Sequence, residues 1–136
     1  MKKFLLSILP LSFLFLSCEE DTLTPLHPLE GRYKGEVQLF KANGNASTAE
    51  DIILDVERTN GDTLLLDFEN VTLEGIRLND YTGLISNNSS MILPAQSIDG
   101  EEQTGQGSVN ASEEMEIILK RLQDGSDVVF YTGAKQ

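Results

Sequence analysis

The stretch that decides the fold is DIILDVERTNGDTLLLDF, from Asp51 to Phe68. Apolar and charged residues alternate on both sides of Asn60-Gly61, a dipeptide that tolerates the positive φ angles of a tight turn. A period of two places successive side chains on opposite faces of a strand. The stretch therefore predicts a β-hairpin with one apolar face and one charged face.

The same pattern continues along the chain in both directions, and Asp124-Gly125 marks a second hairpin turn. Strands are predicted over residues 33–40, 51–58, 63–70, 72–78, 91–94, 105–111, 115–122 and 127–132. No run of comparable length has a helical period. We predict an all-β domain of about eight short strands, a pattern expected of both β-barrels and β-sandwiches.

Alternation also predicts which side chains face the core. The expected inward residues are Ile52, Leu54, Val56, Leu64, Leu66, Phe68, Met115, Ile117, Leu119, Val128 and Phe130. Three large apolar residues, Ile53, Leu65 and Ile118, fall on the opposite, polar face. If their strands are neighbours, they form a patch that needs a cover. We expect segment 81–103 to fold over it, with a partner protein as the alternative.

The N-terminus predicts an exported protein. Two lysines precede an apolar run from Phe4 to Leu16, which is typical of a signal peptide and too short for a membrane span. The run ends in LFLSC, which resembles the lipobox of bacterial lipoproteins. This resemblance implies that Cys18, the only cysteine, is lipidated and becomes the first mature residue. Several acyl chains on one residue give stable membrane anchoring.

The expected organisation is a signal peptide (1–17), a lipidated cysteine with an acidic, proline-containing tether (18–29) and a β-barrel domain (30–136). The CEED that begins the tether resembles an export signal of surface lipoproteins in Bacteroidota; the alternative is a solvated tether. We expect an outer-membrane lipid anchor facing the periplasm or the cell surface. The sequence DTL at Thr22 and at Thr63 resembles a short O-glycosylation motif of that phylum, which makes both threonines candidate acceptors.

The charge balance argues against nucleic acid as a partner. The full chain has 10 Lys plus Arg and 22 Asp plus Glu. Loss of Lys2 and Lys3 with the signal peptide leaves 8 against 22, a formal net charge of −14. Binding to phosphate backbones requires clustered basic residues, whereas those of the mature chain are scattered singly except for Lys120-Arg121. The same charge repels an anionic bilayer surface, so the membrane partner would be reached through the lipid on Cys18.

The residue inventory also argues against catalysis and against a bound cofactor or metal. The single histidine, His27, lies in the predicted tether, and Cys18 is assigned to the lipid, so no Ser-His or Cys-His pair is available. The carboxylate pairs Asp55 with Glu57 and Asp67 with Glu69 have the spacing of a solvated strand face. We therefore predict no enzyme activity, no cofactor and no metal.

Three stretches, EGRYKGEVQLF (30–40), NGDTLLLDF (60–68) and GSDVVFYTG (125–133), resemble the small calycin-like lipoprotein domains of Bacteroidota. Gly31 and Tyr33 match the glycine and aromatic residue that close the barrel bottom in lipocalins, with tyrosine in place of the usual tryptophan. The resemblance implies a small antiparallel up-and-down barrel of about eight short strands, with a β-sandwich as the alternative. It also suggests a ligand cavity. An eight-stranded barrel is only just wide enough for its side chains to fill, and the expected inward residues are large.

The predicted function is that of a lipid-anchored cell-envelope protein with a non-catalytic binding or interaction domain. Its expected partner is an envelope or surface protein. The alternative is a carrier of a small apolar ligand inside a lipocalin-like barrel.

Overall fold

The computed structural model describes residues 26–41, 44–73, 76–98, 100–121 and 127–136. These residues form eight strands and contain no helix. The strands are β1 (Gly31–Phe40), β2 (Ala46–Asn60), β3 (Thr63–Leu73), β4 (Ile76–Asn87), β5 (Ser90–Ile98), β6 (Glu101–Val109), β7 (Glu114–Arg121) and β8 (Val128–Lys135).

The eight strands form one closed antiparallel barrel in sequence order, with β8 pairing back to β1. This confirms the predicted up-and-down barrel and excludes the sandwich. The Asn60-Gly61 hairpin is present between β2 and β3, where Gly61 has a φ of 56°. The second predicted turn, Asp124-Gly125, lies outside the described residues.

The core fills the barrel with one continuous cluster of buried aliphatic and aromatic side chains. The predicted inward faces of β2, β3 and β7 are confirmed, since Leu54, Leu66 and Ile117 are fully buried and Ile52 packs against the core. Alternation alone predicted which side chains of these three strands point inward. The hydrophobic pattern therefore determines which face of each strand lines the core.

The predicted inward face of β8 is wrong. Val129 and Tyr131 are buried, whereas Val128 and Phe130 are only partly buried. The pairing with β1 explains the difference, because Val129 lies opposite Leu39 and Tyr131 opposite Val37. Both faces of VVFYTG carry large apolar residues, so alternation within this strand could not separate them.

The middle of the chain also differs from the prediction. The strand predicted over 72–78 spans the junction at which β3 ends and β4 begins. Segment 81–103 does not cover the wall; it forms most of β4, all of β5 and the start of β6. Ile118 lies on β7, away from Ile53 on β2 and Leu65 on β3, so the predicted three-residue patch does not form.

The segment that precedes β1 closes the lower end of the barrel, where the chain enters. Leu29 is fully buried, and the Tyr33 hydroxyl donates a hydrogen bond to its carbonyl oxygen at 3.0 Å. The Lys135 ammonium lies 5.5 Å from the centre of the Tyr33 ring and donates to the Pro28 carbonyl oxygen. The tether therefore leaves the barrel at this end.

Candidate interaction surface

The predicted modification sites lie mostly beyond the described residues. Cys18 and Thr22 are outside them. Thr63 begins β3 on the outer side of the wall, is partly buried and accepts at its carbonyl oxygen a 3.4 Å hydrogen bond from the Thr59 hydroxyl. Thr63 directly follows the turn between β2 and β3, so it lies at the edge of the barrel.

The centre of the barrel is an aromatic cluster. The Phe68 ring meets the Tyr81 and Tyr131 rings edge-on, with centroid distances of 5.9 and 5.4 Å. The Tyr81 hydroxyl donates to the side-chain oxygen of Gln103, the buried polar residue of the described interior, at 2.9 Å. Burial raises the pKa of Tyr131, so its phenol remains a neutral donor.

One half of the outer wall is strongly acidic. Asp55, Asp67 and Asp80 lie directly opposite one another on β2, β3 and β4. Arg32 forms ion pairs with Asp55 and Glu69 at 3.4 Å. Desolvation, followed by the hydrogen bond and the charge of Asp80, raises the pKa of Asp67 above its ordinary value. Two like charges therefore face each other between β3 and β4.

We expect Asp80→Asn to raise the free energy of unfolding at pH 7 by about 0.5 kcal/mol, because it removes a like charge directly opposite Asp67. An aspartate whose pKa is raised by folding destabilises the folded chain as the pH rises from about 3.8 through its folded pKa. The gain should therefore disappear at pH 3. Urea unfolding at both pH values measures it.

The control for this prediction is Glu102→Gln, which removes an exposed carboxylate that lies opposite Ser97. It should change the unfolding free energy by less than Asp80→Asn at pH 7. An equal gain from Asp80→Asn at pH 3 and pH 7 would show that charge repulsion between Asp67 and Asp80 is not the cause.

The other half of the wall carries an apolar row. Consecutive pairings across β4 to β8 place five outward residues side by side, and we call them the outer row: Leu84, Ile92, Gln106, Ile118 and Phe130. Ile92 is 53% exposed and Leu84 is 42% exposed, while Ile118 and Phe130 are partly buried. Four large apolar side chains thus face outward across five strands.

The surroundings of the outer row are almost free of charge. The outward residues next to Ile92 and Gln106 along β5 and β6 are Ser90, Pro94, Thr104 and Ser108. The nearest charged side chains on β7 are Glu116 and Lys120, one on each side of Ile118. In a chain with 22 acidic residues, such a neutral area is distinctive, since depletion of charge is a property of interface cores.

Short residues on β6 leave depressions within this face. A groove of about 380 Å³ contacts Ile92, Gln106 and Ile118, and a second groove of about 270 Å³ extends from Gln106 and Ile118 to Lys120. The outer row is therefore not a smooth convex wall. Side chains of another molecule can insert on both sides of Gln106.

Sequence reasoning identified Ile118 as an outward apolar residue but missed Leu84 and Ile92. Ile92 stands between Met91 and Leu93 in the run MIL, so alternation gives no sign of its direction. The pairing of Ile92 with Leu84 and Gln106 determines it. One signal in the sequence could have found this pairing. The run directly follows the turn-forming NNSS, which marks a hairpin between the strands of Leu84 and Ile92.

A further groove of about 570 Å³ lies over β1, β2, β7 and β8, and its lining includes Glu36, Glu50, Asp51, Glu114 and Glu116. Among the described residues, no group of three or more His, Cys, Asp or Glu is arranged to hold a metal ion. Within the same ranges, no helix is long and apolar enough to cross a membrane.

Comparison with known proteins identifies the architecture. A solved structure described as a redesigned β-barrel is similar to this chain, with a TM-score of 0.57 over 80% of this chain and 92% of the other. The two chains share this barrel fold. Their sequence identity is 13%, so the likeness extends to the fold alone. No protein-family model matches the sequence, and no curated protein matches it.

Proposed function

We propose that this chain is a lipid-anchored protein of the bacterial cell envelope whose β-barrel is a non-catalytic interaction module. The observation that carries the proposal is the outer row, an exposed apolar line on a neutral wall of an otherwise acidic barrel. Exposed apolar patches rimmed by polar residues mark protein interaction surfaces. The binding surface is thus the outside of the barrel.

The interior supports this proposal over the alternative of a carrier for a small apolar ligand. Such a carrier needs an empty space lined by apolar side chains. Here Tyr33, Tyr81 and Tyr131 are fully buried, and the Phe68 ring occupies the space between two of them. Calycin-like descent would explain the closed barrel and the buried Tyr33 at its lower end.

The proposal assigns no catalytic role to the histidine. The His27 ring accepts at Nδ1 a hydrogen bond from the Leu29 backbone at 3.2 Å, and the His27 backbone donates to Glu30 at 2.7 Å. These contacts shape the turn that leads into β1. The imidazole thus helps to hold Leu29 in place at the lower end of the barrel.

The anchor in the proposal is Cys18, eight residues before the first described residue, Leu26. An extended chain of that length spans up to about 29 Å. Because the tether leaves from the lower end of the barrel, a lipid on Cys18 holds that end within this distance of the membrane and leaves the wall open to partners. The acidic tether is consistent with display at the outer membrane.

We expect Cys18→Ala to abolish membrane association, since the acyl chains are the only proposed attachment and each buried CH₂ contributes about 0.8 kcal/mol. Protease treatment of intact cells and immunoblotting of membrane and soluble fractions measure it. Wild type should be found with membranes, and its digestion by external protease would support display on the cell surface.

Ser7→Ala is the matched control, because it changes the same leader and leaves the cysteine in place. It should fractionate like wild type. A Cys18→Ala variant that remains in the membrane fraction would overturn the lipid anchor. Intact mass of the mature protein would show the acyl chains directly, as well as any sugar on Thr22 or Thr63.

A further inference from the structure

We infer that the partner of the outer row is a second copy of this chain. In the inferred dimer, the walls formed by β6 and β7 pack on each other about a twofold axis that passes through Ile118. This inference rests on the proposed function, because it names the partner of the same surface.

The charges beside the outer row are self-complementary. Glu116 and Lys120 lie on the outer face of β7, two residues before and two residues after Ile118. Both are exposed, and neither side chain forms a hydrogen bond or ion pair with another described residue. Consider a twofold axis that lies in the interface and crosses β7 at a right angle at Ile118. This axis makes the two β7 strands antiparallel. It places Glu116 of each copy against Lys120 of the other.

The same axis runs along the outer row, because the paired residues of neighbouring strands lie on one line across the sheet. Ile118, Gln106 and Phe130 of one copy therefore face their own counterparts. Apolar side chains meet apolar side chains, and the Gln106 amides, each with donor and acceptor, meet each other. The grooves beside Gln106 provide space for side chains of the partner.

Net charge favours this wall over the acidic wall of β2 to β4. Two mature copies, each with a formal net charge of −14, repel, so a stable contact must keep the acidic walls apart. The acidic residues Asp55, Asp67 and Asp80 lie on β2 to β4, away from β6 and β7. Anchoring to one membrane raises the effective concentration of the copies for each other. A twofold axis that relates two copies anchored in one membrane coincides with the membrane normal. The inferred dimer has this orientation when both barrels lie with their long axes along the membrane.

Disulfide trapping of the full-length protein in its membrane tests the contact. Gln106→Cys places a thiol on the proposed axis, where it should meet its own counterpart and give a covalent dimer on a non-reducing gel. Glu57→Cys, an exposed position on the acidic wall, is the matched control and should remain monomeric. Wild type, with Cys18 alone, sets the background. Absence of a Gln106→Cys dimer above that background would overturn the inference.

Charge reversal tests the orientation. With Gln106→Cys present, Glu116→Lys alone and Lys120→Glu alone should each reduce the covalent dimer about tenfold, because each change replaces two attractions by two repulsions. Co-expression of the two single variants with different tags should restore a mixed dimer to within about twofold of the original. A mixed dimer no more abundant than either self-dimer would overturn the arrangement.

The native mass of the detergent-solubilised wild type separates the two proposals. A complex that contains another protein, with no trapped dimer, would overturn the second copy and leave the interaction module intact. If the wild type has a dimeric mass and Ile92→Lys has a monomeric one, the interaction module and the second copy are both supported. Monomeric wild type that Ile92→Lys leaves unchanged would overturn both.

Discussion

Phe68→Ala is expected to lower the free energy of unfolding by about 3 to 5 kcal/mol, the range for removal of a large aromatic ring from a packed core. Phe68 is 3% exposed and touches the faces or edges of two tyrosine rings, each within 6 Å between centroids. Its loss removes apolar contact area and both edge-to-face contacts. Urea unfolding, followed by circular dichroism, measures the change.

Phe40→Ala provides the matched control, because it is the same substitution on an outward position that is 45% exposed. It should change the unfolding free energy by about 0.5 kcal/mol or less. Phe68→Leu, which keeps much of the volume, should fall between the two. A cost for Phe68→Ala no greater than that for Phe40→Ala would show that the centre of the barrel is not packed.

This comparison also decides between the two proposed functions. If the centre is packed, an apolar fluorescent probe should not bind wild type at saturable stoichiometry. The Phe68→Ala variant contains a new apolar cavity, and such cavities bind small apolar molecules. Saturable binding of the probe to wild type would instead favour the carrier, with the cavity lying where Phe68, Tyr81 and Tyr131 meet.

The parts of the fold that could be predicted are those in which apolar and polar residues alternate. Leu54, Leu66 and Ile117 each adjoin a charged residue and lie two positions from other apolar residues of the same face, so their inward direction followed from the sequence. The hairpin at Gly61 followed from the φ that its turn requires. The many short strands without helices predicted a barrel or a sandwich, and the lipocalin-like resemblance favoured the barrel.

The parts that could not be predicted depend on pairing between distant strands. The orientation of β8 is determined by its register with β1, which lies almost 100 residues earlier in the chain. The outer row is likewise a product of four successive registers, and its exposed members Leu84 and Ile92 come from runs with little alternation. Local pattern carries no information on which strands become neighbours.

Several interior-facing wall positions are glycines, and Gly35 is the one whose replacement should have the largest effect. Gly35 lies opposite Gly133, next to the point where β1 shifts register against β2. A Cβ atom at Gly35 would overlap the Thr132 carbonyl oxygen and the Gly133 Cα, both in the backbone of β8. Backbone cannot rotate away as a side chain can, so the two strands would have to separate.

We therefore expect Gly35→Ala to destabilise the fold by about 3 kcal/mol or more, at the upper end of the cost of overpacking. Gly83→Ala is the matched control on another inward strand position, where the new Cβ would lie 3.2 Å from Leu66 Cδ1 and Met91 Sδ, the ends of flexible side chains. It should cost about 1 kcal/mol, at the low end of that range. Urea unfolding of the two variants measures the difference. Similar costs would show that β1 and β8 do not approach closely at Gly35. The expected difference depends on the new Cβ atom meeting backbone at Gly35 but only side chains at Gly83.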